Sequence, residues 1–207
     1  MTMLVEVEKI QNSPFTRKKF RTDEVYKMME IGILPEESGW ELIDGELVDK
    51  MPIGSKHASN VKRLNRILTN LVGQNSIVSV QDPIHIDEHN EPERDIALLV
   101  PRDDFYAEAH PTAKDVLLVI EVSDSTLEYD RDLKKNLYAG AGIGEFWLIN
   151  LQKNTIETFW NPTGGDYYEM RIYEQSETIQ SKNIEYLTLP VSEILGENII
   201  NSETAEG

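Results

Sequence analysis

Cysteine is absent from the 207 residues, which excludes disulfides, thiolate metal sites and cysteine nucleophiles together. No apolar run approaches the ~20 residues that a membrane-spanning helix needs. The segment Met1-Thr2-Met3-Leu4-Val5-Glu6-Val7-Glu8 lacks the basic-then-apolar pattern of a signal peptide. A soluble, cytoplasmic protein with no membrane partner is therefore expected. Positive charge is scarce as well: 20 Lys and Arg stand against 37 Asp and Glu, a net charge of −17. That balance argues against a dedicated nucleic-acid binder, unless a bound cation or a dimeric cleft concentrates positive potential locally. Internal repeats, linkers and low-complexity stretches are missing, and the length suits one domain of ~100–200 residues. The expected layout is an N-terminal extension over 1–21, a single domain over 22–200 and a flexible tail over 201–207.

What is present reads as a mixture of helices and strands. Thr22-Asp23-Glu24 opens a short amphipathic helix, with Thr22 as its cap and Val25, Met28, Met29 and Ile33 as its apolar stripe. Asp44-Gly45 lies between two β-prone runs, Trp40 to Ile43 and Glu46 to Val48, and predicts a two-residue hairpin. A longer helix starts at Ser55, puts Val61, Leu64, Leu68, Leu71 and Val72 on one face, and ends at Gly73. Ile77–Gln81, Ile84–Ile86 and Asp95–Val100 then follow closely enough to be antiparallel neighbours. Val116–Val122 is almost wholly apolar, as a strand buried on both faces is. A helix over Leu127–Ala141, packed through Leu133, Leu137 and Tyr138, separates it from the strand Glu145–Asn150, and strand–helix–strand implies a parallel crossover. Thr155–Trp160, Tyr167–Tyr173 and Ile184–Leu189 read as a C-terminal β meander.

Three carboxylates interrupt or border the apolar strands. Glu41 opens Glu41-Leu42-Ile43, Asp95 precedes Ile96-Ala97-Leu98-Leu99, and Glu121 breaks Val116–Val122. An ionised carboxylate in a strand core is costly unless it is paired or holds a metal. Two readings satisfy that condition. In one, Asp95 and Glu121 belong to a salt-bridge network closed by Arg94, Arg131 or Lys134. In the other, they hold magnesium, or manganese in its place, for phosphodiester hydrolysis, with Glu41 and the Val122 carbonyl as further ligands. His57 suits a helix cap or a phosphate contact, Gln81 a structural amide, and Asp130 a group that steadies Arg131 or Lys134.

The order of these pieces is distinctive. Trp40-Glu41-Leu42-Ile43-Asp44-Gly45 and His57 come first, then Glu91-Pro92-Glu93-Arg94-Asp95-Ile96, then Val119-Ile120-Glu121-Val122-Ser123, and finally Tyr129-Asp130-Arg131 with Lys134 and Tyr138-Ala139. From about Thr16 to about Trp160 the chain resembles the Uma family of restriction-endonuclease-like proteins in the PD-(D/E)XK superfamily. The resemblance implies an α/β (α+β) fold: a restriction endonuclease-like core, with a mixed β-sheet flanked by helices. It implies a magnesium-dependent endonuclease acting on DNA, usually as a homodimer. Asp95 looks like the first motif acid, Glu121 like the second, Lys134 like the lysine of the following helix, and Glu41 like the early extra acid. Two positions depart from the pattern: Arg94 stands where it has proline, and Ser123 where it has lysine. Lys134 must therefore supply the cation. At about 100° per residue only one of Lys134 and Lys135 can face Glu121, and Lys134 is the expected one. A non-catalytic dimeric interaction protein that retains the nuclease fold is the competing function.

Overall fold

The computed structural model describes residues 16–35, 39–49 and 53–196. The expected tail over 201–207 and most of the expected N-terminal extension lie outside these residues. The elements in chain order are α1 (Thr22–Glu30), β1 (Trp40–Ile43), β2 (Glu46–Asp49), α2 (Ser55–Val72), β3 (Ile77–Val80), β4 (Ile96–Leu99) and β5 (Val116–Ser123). A π-helical stretch, Tyr129–Lys134, leads into α3 (Lys135–Gly140). There follow β6 (Glu145–Asn150), β7 (Thr155–Thr163), β8 (Asp166–Tyr173), β9 (Thr178–Gln180), β10 (Thr188–Pro190) and α4 (Val191–Leu195). Six strands form one mixed sheet in the order β3-β4-β5-β6-β7-β8. Only β5 and β6 are parallel, joined through the π turn and α3 as a strand–helix–strand crossover requires.

Alternation along the strands divides the core in two. Ile96, Leu98, Leu118, Ile120 and Val122 pack under Val61, Leu64, Leu68 and Val72 of α2. Ala97, Leu99, Val119 and Leu148 turn to the other face, against Tyr138, Ala139 and Ile143. Side chains two apart share a face, so Asp95 falls on the side of Ala97, and Glu121 on the side of Val119. The β4–β5 register pairs Ile96 with Ile120, which brings Asp95 level with Glu121. The two acids are thus neighbours on one face of adjacent strands.

The hairpin that carries Glu41 is as expected. Asp44 and Gly45 both have positive φ, 48° and 69°, the pairing a tight two-residue turn between right-twisted strands requires. An added Cβ on Gly45 would stand 2.8 Å from the Lys19 Cβ, so glycine is needed for space as well as conformation. Glu91 N–H donates to the Leu42 carbonyl at 2.8 Å, which ties the hairpin to the strand leading into Asp95.

Four expectations are corrected. Arg21, not Thr22, caps α1, because the Glu24 carboxylate three residues on accepts the Arg21 N–H at 3.0 Å; Ile33 lies beyond the helix and is exposed. Ile84–Ile86 is not a strand: isolated bridges form at Pro83, His85 and Asp87 instead. Ile184–Leu187 forms a turn, and only Thr188–Pro190 is extended, paired with β9 away from the main sheet. The cause is the buried Glu145 carboxylate, which accepts from the Lys182 and Asn183 N–H groups at 2.8 and 3.0 Å and from Ser181 Oγ at 2.6 Å. Lastly, Leu133 is exposed and Lys134 is buried in its stead. In the π stretch i→i+5 bonding lowers the rotation per residue, so Asp130, Lys134 and Tyr138 line up on the inward side.

Candidate active site

A cavity of about 420 Å³ opens where β1, the N-terminal turn of α2, the ends of β4 and β5 and the π turn meet; Glu41, His57, Asp95, Glu121, Tyr129 and Lys134 are among its lining residues. All of the acids singled out in the sequence reach it, and so does Lys134. The Lys134 Nζ donates to Glu41 Oε1 at 3.1 Å, to Glu121 Oε1 at 3.2 Å and to the Glu93 carbonyl at 2.8 Å. Three acceptors use all three ammonium hydrogens, and this lysine is only 5 % exposed. Lys135, one position on, turns away and pairs with Asp166 at 2.8 Å. Of the three cations considered for closing the network, Lys134 alone does so. Arg131 is engaged by Glu157, and the Arg94 guanidinium donates to Ser79 Oγ.

Asp95 and Glu121 are held by backbone as well as by charge. Asp95 Oδ2 accepts the Val122 N–H at 2.8 Å, and Glu121 Oε2 accepts the Asp95 N–H at 3.2 Å. Tyr138 donates its hydroxyl to Glu121 Oε1 at 2.7 Å. Burial pushes the Glu121 carboxyl up to about 8; Lys134 opposes this, while Asp95, Asp130 and Glu41 add to it. Burial acts against the Lys134 ammonium, but Glu121, Glu41, Asp130 and Asp95 together hold its pKa above the usual lysine value. Asp130 is also raised by burial, against the pull of Lys134 and the hydrogen bonds of Thr126 and Ser123. Negative charge outnumbers positive charge in this cavity, and a site so arranged stabilises an added cation.

Four further side chains take part in the site in ways that the sequence left open or did not indicate. His57 Nε2 lies 2.9 Å from Asp95 Oδ2. Burial works against the charged imidazole, yet the Asp95 hydrogen bond and charge, with Asp130 and Asp124, raise its pKa overall. Its signal was available: at 100° per residue His57 shares the inward stripe of Val61, Leu64 and Leu68. Tyr129 lines the cavity and its hydroxyl is buried without a partner; burial, then Glu41, pushes it up to about 12. Arg94 is buried with Nε and Nη1 unpartnered, and burial lowers its pKa despite Asp82. Tyr138 had been assigned to packing alone; its ring packs, and its hydroxyl fixes Glu121. Gln81 lines the cavity with φ of 52°.

Among the described residues no group of three or more His, Asp or Glu is arranged to hold a metal ion by itself. Magnesium does not need one: it is commonly held by one or two carboxylates and keeps several waters. The donor set suits such an ion, with two backbone-braced carboxylates on neighbouring strands, further acids behind them and no thiolate.

No curated protein matches the chain. Among solved structures, a crystal structure described as a "putative nuclease belonging to DUF820" from Anabaena variabilis is similar at 17% identity and a TM-score of 0.63, covering 81% of this chain and 96% of that one. That likeness shows the fold, a restriction endonuclease-like mixed sheet flanked by helices. The Uma2 family model, described as "Putative restriction endonuclease", matches residues 23–192, most of the chain. The chain therefore belongs to the Uma2 family of restriction endonuclease-like proteins.

Proposed function

We propose that this protein is a magnesium-dependent endonuclease that hydrolyses DNA phosphodiester bonds. One observation carries the reading. Lys134 reaches from the helix after β5 into the space beside Asp95 and Glu121, supplying the cation that Ser123 cannot. Asp95 and Glu121 would hold the magnesium, with Glu41 close by. When bound, the ion would lower the pKa of a coordinated water and offset charge on the phosphoryl oxygens. The chain's own groups do the rest. The Lys134 ammonium stabilises negative charge developing on the phosphoryl group. His57 fixes the orientation of Asp95 through the same Oδ2 that accepts the Val122 N–H.

The test joins binding to chemistry. Magnesium or manganese should raise the melting temperature of the wild type by mass action and support nicking of plasmid DNA. Asp95→Asn should lose both responses. A metal-induced shift that persists in Asp95→Asn would overturn the assignment of this ligand. A second reading, an interaction protein that keeps the nuclease sheet without chemistry, is favoured by the saturation of Lys134 by three acceptors. A wild type that binds no divalent metal and cuts no DNA would establish it.

Assembly as a homodimer belongs to both readings. Phe159, Tyr167 and Tyr173 of the C-terminal strands are buried in the core. On the edge strand β8, however, Tyr168, Met170 and Ile172 are exposed at alternate positions, an apolar row on a sheet edge that another copy can cover. Light scattering at micromolar concentration should give a dimer mass for the wild type and a monomer mass for Tyr168→Lys/Ile172→Lys. A monomeric wild type would refute the dimer. No helix among the described residues is long and apolar enough to cross a membrane.

A further inference from the structure

The cations of this acidic chain are unevenly used. Among the described residues, most Lys and Arg side chains are engaged by carboxylates, such as Lys19 by Asp44, Arg102 by Asp104 and Arg171 by Glu177. Those in no ion pair are Lys56, Lys62, Arg63, Arg66, Lys114, Lys153 and Lys182, and the first four all lie on α2. The 18 residues of α2 contain no Asp or Glu at all, in a chain that has 37 of them.

The four do not ring the helix. At about 100° per residue, Ser55, Lys56, Ser59, Lys62, Arg63 and Arg66 fall within about 120° of arc, opposite the apolar stripe. Lys56 and Arg66 are ten residues apart, or about 15 Å along the axis. Lys56, Lys62 and Arg66 are exposed. Arg63 is half-buried and also donates to the Leu195 carbonyl at 2.8 Å, closing the end of α4.

A polar groove of about 660 Å³ runs beside the start of this stripe, lined by Ser55, Lys56, Ser59, Asn60, Arg63 and Asp124 among others. The first turn of α2 has no acidic residue, and its cap, Gly54, supplies no side-chain bond, so its N–H groups and dipole also favour an anion. His57, in that same turn, is the residue that touches Asp95. One turn of helix thus has the catalytic cavity on its inner side and the groove with its cationic stripe on its outer side.

We propose that the outer face of α2 is the docking surface for the phosphate backbone of duplex DNA. One phosphate would lie beside Ser55, Lys56 and Ser59 at the start of α2, and its neighbours along Lys62 and Arg66. The identity of the polyanion rests on the nuclease reading; the surface itself rests on the charge pattern. A straight, rigid stripe of ~15 Å matches the regular charge array of a duplex, in which one strand advances 3.4 Å per phosphate. It also resolves the conflict between the −17 net charge and a DNA substrate, because positive potential needs to be strong only where the backbone passes.

The test is fluorescence anisotropy of a short labelled duplex in EDTA, so that binding is read without cleavage. The triple variant Lys56→Gln/Lys62→Gln/Arg66→Gln should bind on the order of tenfold more weakly at low salt, with the slope of log K against log salt reduced by about 3. The control Lys18→Gln/Lys114→Gln/Arg171→Gln makes the same change in net charge on other surfaces and should bind within twofold of wild type. Arg63 is spared because it also holds α4. Equal affinity of the stripe variant and wild type, equal loss in the control, or equal wild-type affinity for a single-stranded oligonucleotide would each overturn the docking surface. Plasmid nicking with magnesium is scored separately. A wild type that binds through the stripe and never cuts would refute the nuclease alone, whereas a stripe variant that binds and cuts like wild type would refute the docking surface alone.

Discussion

Lys134→Ala is expected to lose about 3–5 kcal/mol of folding stability, the usual result of removing one partner of a buried ion pair. The sequence alone places Lys134 facing Glu121 and says nothing of how deeply it is buried. The structure places it inside, where it neutralises Glu41 and Glu121 together. Without the ammonium, two carboxylates remain in a cavity with little water, and the cheapest response is for Glu121 to keep its proton. The deficit should therefore be smaller near pH ~5, where protonation is easy, and larger near pH ~8.5, where the site must either ionise or open. Urea denaturation at both values measures it. A loss under about 1 kcal/mol, as for an exposed pair, would mean that Lys134 points to solvent. Total stabilities of about 5–15 kcal/mol are common, so the folded fraction of this variant must be checked before its lost cleavage is assigned to chemistry.

Glu121→Gln separates those two effects. The amide keeps the shape of the carboxylate, its oxygen can still accept from Tyr138 and Lys134, and Lys134 retains Glu41 and the Glu93 carbonyl. Cleavage should fall by at least about 10²-fold, the scale on which losing a single electrostatic group at a reacting centre is felt, while the protein stays folded. The metal-free protein should also change its response to pH, with a definite sign. The Glu121 carboxyl lies at about 8 in the folded protein against an ordinary 4.5, so the folded state binds this proton more tightly than the unfolded state does. Its contribution to stability is whole below 4.5 and is lost as pH rises to about 8. In EDTA the Glu121→Gln melting temperature should fall less than that of wild type between roughly pH 6 and pH 8.5. Cleavage within a few-fold of wild type would remove Glu121 from the site.

The sheet and the acids were legible in the sequence for one reason. Strand period is short and unambiguous, so a single acid in Val116–Val122 announces both its burial and its face. Asp95 beside Ile96 was readable in the same way, as was the Asp44-Gly45 turn that aims Glu41. The helix after β5 was legible as an element but not in phase, because nothing local marks a π turn, and an ordinary helical wheel put Leu133 inward. His57 and Tyr138 were seen and given humbler work, since a ring that packs and a hydroxyl that binds look alike until their neighbours are known. Arg94 was legible as a candidate cation of the network but not as a buried one, because its burial depends on Ser79 from a strand 15 residues earlier.

The π turn has one more consequence, which concerns counting. Such a turn holds one residue more than the α-helical turn it replaces, as though a single residue had been inserted into a regular helix. Between Ser123, which ends β5, and Tyr138, which is locked against Glu121, the chain is thus exact in number. Loss of one residue from Thr126 to Asp130 would let an unbroken α-helix run through, and Asp130 and Lys134 would no longer both arrive at the cavity. Exchange of an exposed residue there, such as Asp132 or Leu133, leaves the path intact. In this segment natural variation is free to rewrite the outward letters, but it cannot shorten the word.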